Sequence, residues 1–116
     1  MRMLMAIVVA TTLTAVSAQT QTQSAPAPKG DAQNGAKLFV KYGCYECHGR
    51  EGQGGAAGPR IAPNTPPVAM MIRYVRAPTG EMPPYTEKLL KSDQDLIDIH
   101  AFLSSRPTAK PDSAPR

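Results

Sequence analysis

The stretch Cys44-Tyr45-Glu46-Cys47-His48 decides how this chain folds and what it can hold. Two cysteines separated by two residues and followed at once by histidine have the spacing of a c-type haem attachment site. Each thiol can form a thioether bond with one vinyl group of the porphyrin, and the histidine can then bind iron as an axial ligand. Cys44 and Cys47 are the only cysteines in the chain. The motif therefore uses every thiol and predicts one covalently attached haem c.

Three other interpretations of the two cysteines compete with haem attachment. A thioredoxin-like redox pair requires a βαβ setting, and no strand–helix–strand pattern surrounds the motif. A closed zinc site requires four ligands, but only His48 and His100 could join the cysteines, and they are far apart in sequence. A small structural disulfide loop is the third alternative. Haem attachment is the favoured interpretation because it also explains the adjacent histidine.

Residues 1–18 have the pattern of a secretory signal peptide. Arg2 supplies the positive start, residues 4–16 are largely apolar, and Val16-Ser17-Ala18 matches a small-residue cleavage site. The apolar stretch is short for a bilayer span, although an uncleaved membrane anchor is the alternative. We therefore predict export to the periplasm, with no membrane span after signal cleavage.

The mature chain is predicted to contain one domain, residues 30–105. Residues 19–29 and 106–116 lack large apolar side chains and are predicted to be a disordered leader and a flexible tail. The chain has 12 prolines, 9 glycines, no tryptophan and two phenylalanines. A domain this short, with so few large apolar side chains, cannot build a large core unaided. Burial of a few hundred Å² of porphyrin at about 25 cal/mol per Å² would contribute on the order of ten kcal/mol. We expect the haem-free chain to be largely unfolded.

The charge pattern excludes some partners. The net charge is +4, but no run of lysine and arginine alternates with aromatic residues, so nucleic-acid binding is not indicated. The glycine-rich stretch 49–58 lacks the lysine-serine or lysine-threonine pair of a phosphate-binding loop. Arg73, Arg76, Lys88 and Lys91 lie near the segments predicted to face the haem and could steer an acidic partner. A solvated basic surface explains them equally well.

The hydrophobic pattern predicts helices and no strands. A first helix is expected at residues 32–42, capped by Asp31. A second is expected to begin near Thr65, where a proline suits the first helical position. The last helix is expected to start after Ser92, with Asp95 completing a capping box. With a short helical turn near residues 86–90 and no alternating pattern, the domain is predicted to be all-α.

These motifs together resemble the class I cytochrome c family of small monohaem electron carriers. The resemblance rests on residues 34–39, 44–48, 58–61 and 80–85, which read NGAKLF, CYECH, GPRI and GEMPPY. It implies a small cytochrome c fold, with three to four helices around one haem. It also implies that the first and last helices cross closely.

The resemblance implies a set of cofactor-binding residues: Cys44, Cys47, His48, Pro59, Ile61 and Met82. In the family's glycine-proline segment, the Pro59 carbonyl would accept a hydrogen bond from the His48 ring nitrogen that faces away from iron, which fixes the ring and tunes its basicity.

Met82 is the predicted sixth ligand, so the expected metal ligands are His48 and Met82. Met82 lies in an irregular segment before two prolines, which hold a loop at little further entropic cost. Met70 and Met71 lie on a predicted helix, where an apolar stripe is more often core. Simple loop packing is the alternative role for Met82, and His100 is predicted to be a surface or structural residue.

The leading functional prediction is one-electron transfer, by a carrier that is not itself an enzyme. With both axial positions filled, no iron position is open to substrate. The expected partners are redox proteins, namely a dehydrogenase-type donor and an acceptor such as an oxidase or another cytochrome. The haem edge near Cys47 is expected to be the electron port, framed by basic and polar residues. The alternatives are a cytochrome subunit of a larger oxidoreductase complex and a haem sensor or enzyme with an open sixth site.

Overall fold

The computed structural model describes residues 28–108, so the predicted signal peptide and most of the predicted leader and tail lie outside the described residues. The described part is all-helical and contains no strand, which confirms the predicted fold class. None of its helices is long and apolar enough to cross a bilayer. The helices are α1 (Ala32–Lys41), α2 (Cys44–His48), α3 (Val68–Arg76) and α4 (Asp93–Ser104).

The start and end of α1 follow directly from its sequence. The Asp31 carboxylate accepts hydrogen bonds from the backbone N–H groups of Gln33 and Asn34, at 2.9 and 3.1 Å, so the predicted cap is present. After Tyr42, Gly43 takes a φ of +74°, a backbone conformation that glycine adopts without strain. Gly43 turns the chain directly into α2, the short helix that contains the cysteine motif.

Helices α1 and α4 cross at very short range, as the resemblance implies. A side chain at Gly35 would overlap the backbone carbonyl of Asp98, so glycine is required for this approach. Beside the crossing, the ring centroids of Phe39 and Phe102 lie 5.5 Å apart. The crossing places the side chains of both helices in one core, whose most buried members are Phe39, Leu90, Leu96, Ile99 and Leu103.

The second predicted helix begins later than expected, at Val68 instead of near Thr65. The reason lies in the pair Pro66-Pro67, because a residue that precedes proline is disfavoured in the helical region. Thr65 and Pro66 are each followed by a proline, so helical backbone is disfavoured at both. Their segment packs on α4 instead, where the Thr65 hydroxyl lies 2.7 Å from that of Ser104.

The capping box predicted for α4 is only half formed. The Ser92 hydroxyl accepts a hydrogen bond from the Gln94 N–H at 3.1 Å, but the Asp95 carboxylate accepts one from the Tyr42 hydroxyl at 2.7 Å. A capping box normally uses glutamate or glutamine, whose longer side chain reaches back to the cap. The Asp95 carboxylate therefore ties α4 to the end of α1.

Candidate haem site

A deep apolar cavity opens between the crossed helices and the rest of the domain. The cavity and the open solvent space at its mouth together amount to about 850 Å³. Its lining is contributed by α1, α2, α3 and α4 and by the loops around Pro59 and Met82. Almost all of the lining atoms are apolar, as expected for a cofactor pocket. Its size and apolar lining suit a large apolar group.

Both motif cysteines lie beside this cavity and are free thiols. Cys44 is half-buried and lines the cavity, whereas Cys47 is exposed and, with Cys44, lines the adjoining opening to solvent. Burial raises the pKa of the Cys44 thiol to about 11, because removal of water disfavours the thiolate. Both thiols therefore lie at the edge of the apolar cavity.

His48 lies on the wall of the same cavity, and its tautomer follows from its hydrogen bond. The Nδ1 atom lies 2.9 Å from the Pro59 carbonyl oxygen. A carbonyl can only accept, so Nδ1 is the protonated nitrogen and donates. Nε2 then carries the free lone pair, and it forms no hydrogen bond to any residue in the range 28–108. His48 is therefore prepared to bind a metal through Nε2.

The loop that carries Pro59 is held against α2 by backbone hydrogen bonds. The Gly54 N–H donates to the carbonyl of His48 at 2.7 Å, and the Ile61 N–H donates to the carbonyl of Gly52 at 2.8 Å. These bonds fold the glycine-rich loop back on itself and position the Pro59 carbonyl. Pro59 and the half-buried Ile61 both line the cavity.

Two methionine side chains line the cavity. Met82 is half-buried and lines both the cavity and its opening, and Met71 is 9% exposed and belongs to the core of α3. Met70 is 52% exposed and lines a separate shallow groove. The structure thus brings Met82 to the same cavity as His48, but it also brings Met71 there, which sequence reasoning treated only as core.

The segment that carries Met82 is anchored by Arg76, which the sequence analysis named only as a basic residue that could steer a partner. The guanidinium group donates to the carbonyl of Tyr85 at 2.9 Å and to that of Leu90 at 2.6 Å, and it pairs with Asp93 at 2.7 Å. Its partners lie 9 to 17 residues away in sequence, so no local pattern could reveal them. These bonds close the loop around Met82.

Tyr85 is a second anchor for this segment and also lines the cavity. Its hydroxyl donates to the carbonyl of Tyr42 at 2.9 Å, and its backbone N–H donates to the carbonyl of Val75 at 2.9 Å. Burial raises the pKa of the Tyr85 hydroxyl, and the nearby cysteines and Glu46 add to the shift. The tyrosine therefore stays neutral and keeps its hydrogen bond at neutral pH.

His100 does not line the cavity. Its Nε2 atom lies 2.9 Å from the carbonyl oxygen of Pro66, so the ring links α4 to the loop before α3. The described residues contain no group of three or more histidine, cysteine, aspartate or glutamate side chains that could hold a metal. His100 thus has a structural contact, and it is not near enough to the cysteines to form such a group.

The opening beside Cys47 lacks the basic lining that was expected, with polar residues, around the electron port. The charged side chains that line the opening beside Cys47 are Glu46 and Glu81, and its lining includes no lysine or arginine. Arg76, predicted to lie near the segments that face the haem, is turned inward by the hydrogen bonds described above, and its side chain is only 17% exposed. The local charge of the opening is therefore opposite in sign to the net charge of the chain.

The fold and the site together define a small c-type cytochrome, a class of electron-transfer proteins whose cofactor is haem c. Residues 30–103 match the family described as cytochrome c oxidase, cbb3-type, subunit III. Because this match covers more than half of the 116 residues, the chain belongs to that family. No curated protein and no solved structure matched the chain. The family confirms the resemblance to cytochromes c stated from the sequence.

Proposed function

We propose that this chain is a periplasmic one-electron carrier with one haem c, attached through Cys44 and Cys47 and ligated by His48 and Met82. The observation that carries the proposal is the placement of His48 and Met82 on one apolar cavity, with both cysteines at its opening. When bound, haem c supplies the Fe(III)/Fe(II) couple. The periplasmic location in this proposal rests on the predicted signal peptide.

The residues of the chain have distinct tasks in this proposal. The hydrogen bond from His48 Nδ1 to Pro59 orients the ring and leaves Nε2 for iron. A thioether ligand from Met82 favours ferrous iron and raises the reduction potential. The apolar lining excludes water from the centre. With both axial positions filled, the chain has no open iron position for a substrate, which favours a carrier over an enzyme.

The partners in this proposal are a dehydrogenase-type electron donor and a respiratory acceptor, either an oxidase or another cytochrome. The prediction of a dehydrogenase as electron donor rests on the resemblance to small electron carriers. The acceptor is also supported by the description of the family, which names an oxidase.

The optical spectrum of the purified holoprotein tests the ligand set. A pyridine haemochrome assay is expected to give one haem c per chain. The oxidised protein is expected to show the weak long-wavelength band of a methionine–iron bond, and the reduced protein is expected not to bind carbon monoxide. Absence of the band together with ready carbon monoxide binding would reject the carrier and favour the sensor or enzyme alternative.

A second candidate function is a cytochrome subunit of a larger oxidoreductase complex, which the description of the family favours. Mild solubilisation of native membranes, followed by affinity isolation of the tagged chain, separates the two candidates. A free carrier is expected to elute alone at low mass after a salt wash. Stoichiometric recovery with oxidase subunits after that wash would establish the subunit role instead.

A further inference from the structure

The opening beside the cavity has an acidic character that the composition of the chain does not suggest. Two exposed carboxylates flank it, Glu46 on α2 next to Cys47 and Glu81 next to Met82. We call this surface the acidic opening, defined by Glu46, Cys47, Glu81 and Met82. Six residues that line the cavity, His48 and Met82 among them, also line this surface, so the two adjoin.

Neither carboxylate is neutralised by a cation within the described part of the chain. The ion pairs formed by residues 28–108 are Arg76–Asp93, at 2.7 Å, and Arg106–Glu51, at 2.6 Å. Glu46 and Glu81 take part in neither. Both charges are therefore free to act on a molecule that approaches the acidic opening.

Three basic side chains of the neighbouring segments have contacts elsewhere. The Arg50 guanidinium lies over the Tyr45 ring, 5.0 Å from its centroid, and the Lys41 ammonium lies 5.2 Å from the centroid of Tyr42. Arg73 lines a separate shallow groove, which shares Tyr74 with the acidic opening. None of these three basic residues lines the acidic opening.

Screening decides which charges a docked partner experiences. At physiological ionic strength the Debye length is about 8 Å, so charges farther away than this contribute little across a contact surface. The net charge of +4 is spread over the whole chain, whereas Glu46 and Glu81 lie at the opening itself. Glu46 and Glu81 therefore act on a docked partner at shorter range than the net charge does.

We infer that the acidic opening docks a redox protein that presents lysine or arginine side chains around its own electron-exchange site. This inference rests on the proposed function, because it requires the haem edge to lie at this opening. Charge complementarity identifies the partner surface, since basic side chains would pair with Glu46 and Glu81 and bring the two redox centres together. An anionic membrane surface or an acidic protein would be repelled at the same place.

Small inorganic reagents measure the local charge in the ferric holoprotein. One electron passes from hexaammineruthenium(II), which is oxidised to ruthenium(III), to the ferric protein, which becomes ferrous; hexacyanoferrate(II) serves as the anionic reductant. The double variant Glu46→Gln/Glu81→Gln is expected to react about three- to tenfold more slowly with the cation at low salt and faster with the anion. Both differences are expected to vanish at high salt.

Glu87→Gln is the matched control, because Glu87 is exposed and carries the same charge but does not line the acidic opening. Its effect is expected to be clearly smaller than that of Glu81→Gln alone. Equal effects of Glu81→Gln and Glu87→Gln would overturn the inference, since net charge alone would then explain the rates. Reduction potentials of all variants are measured so that rates are compared at equal driving force.

Binding is tested separately by NMR of the ferrous holoprotein with hexalysine as the probe. Amide shifts are expected in residues 43–47 and 79–83 of the wild type, and they are expected to be lost in the double variant. Shifts confined to another face would contradict the inference, as would binding of anionic phospholipid vesicles at these residues. A holoprotein without the methionine–iron band would instead count against the proposed function, so the two failures are distinguishable.

Discussion

Gly35 on α1 lies directly against the backbone carbonyl of Asp98 on α4, with no space between them for a side chain. This contact sets the distance between the two crossed helices. It also fixes the positions of Phe39 and Phe102, whose rings pack against each other beside the crossing. Phe39 lines the cavity, and Phe102 packs against it. The haem site thus depends on a contact that involves no site residue.

Gly35→Ala is expected to destabilise the holoprotein by about 3 kcal/mol, because the new methyl group must push two backbones apart. Gly55→Ala is the control, since a methyl group there would lie 3.8 Å from the carbonyl oxygen of Cys47, which is an ordinary contact. Guanidinium unfolding followed by helical circular dichroism compares the two variants. A Gly35→Ala protein as stable as Gly55→Ala would show that the helices do not cross as described.

Asp98 joins the start of α1 to α4 through a buried carboxylate. It accepts hydrogen bonds from the Asp31 N–H at 2.9 Å, the Asn34 amide at 2.8 Å and the Gln94 amide at 2.9 Å. These bonds, that of Asp31 above all, hold the pKa of Asp98 below its ordinary value of 3.8. Asp98→Asn is expected to lower the free energy of unfolding at pH 7 by about 1–3 kcal/mol.

The stability that Asp98 contributes depends on pH in a defined direction. A carboxyl group whose pKa is lowered by folding stabilises the protein above its ordinary pKa and loses that effect as pH falls through the folded pKa. The difference between wild type and Asp98→Asn is therefore expected to shrink below pH 3.8. Asp93→Asn, which removes an exposed charge from the same helix, is expected to lower the free energy of unfolding by about 1 kcal/mol or less. Unfolding curves between pH 3 and pH 7 check both expectations.

Arg76 is expected to control how firmly Met82 is held, if Met82 is the iron ligand. Arg76→Ala leaves the carbonyls of Tyr85 and Leu90 without their donor and is expected to weaken the closed loop by about 2 kcal/mol. The methionine–iron band should then disappear at a lower temperature than in the wild type, before the helices unfold. Arg76→Lys keeps the charge but not the forked geometry and should give an intermediate result.

Arg106→Ala provides the control for Arg76, because Arg106 pairs with Glu51 and lies over the Phe102 ring, away from the Met82 loop. This variant is expected to leave the methionine–iron band as stable, relative to global unfolding, as in the wild type. Loss of the band in both arginine variants at the same temperature would mean that Arg76 has no specific effect on the loop.

The two methionines of the cavity can be distinguished by substitution. Met82→Ala is expected to abolish the methionine–iron band, lower the reduction potential and open the iron to carbon monoxide. Met71→Leu conserves an apolar side chain of similar volume, so it is expected to keep the band and cost about 1.5 kcal/mol at most. The reverse pattern, in which the band survives Met82→Ala and is lost in Met71→Leu, would make Met71 the ligand.

Removal of the haem attachment sites tests how far the fold depends on its cofactor. The double variant Cys44→Ser/Cys47→Ser is expected to show little helical circular dichroism, because the cavity walls would lose the apolar group they enclose. A fully helical, cooperatively unfolding double variant would show that the helix core alone is sufficient. Size-exclusion chromatography detects whether the chain is expanded.

Much of the site could be predicted from the sequence because its signals are local. The cysteine motif requires only five adjacent residues, and the Asp31 cap requires only its own turn of α1. The close crossing at Gly35 came from a family resemblance that included this residue. The start of α3 was missed although its cause is also local, since the pair Pro66-Pro67 disfavours helical backbone at Thr65 and Pro66.

The sequence by itself determined the all-α class, the haem motif and the chemistry available at Cys44, Cys47 and His48, because spacing and helical periodicity depend on neighbouring residues. Only the tertiary structure decided that Met71 shares the cavity with Met82 and that Arg76 closes the loop. It also decided that Glu46 and Glu81 flank the opening of a chain with a net positive charge. These relationships join residues far apart in sequence, and chain packing alone brings them together.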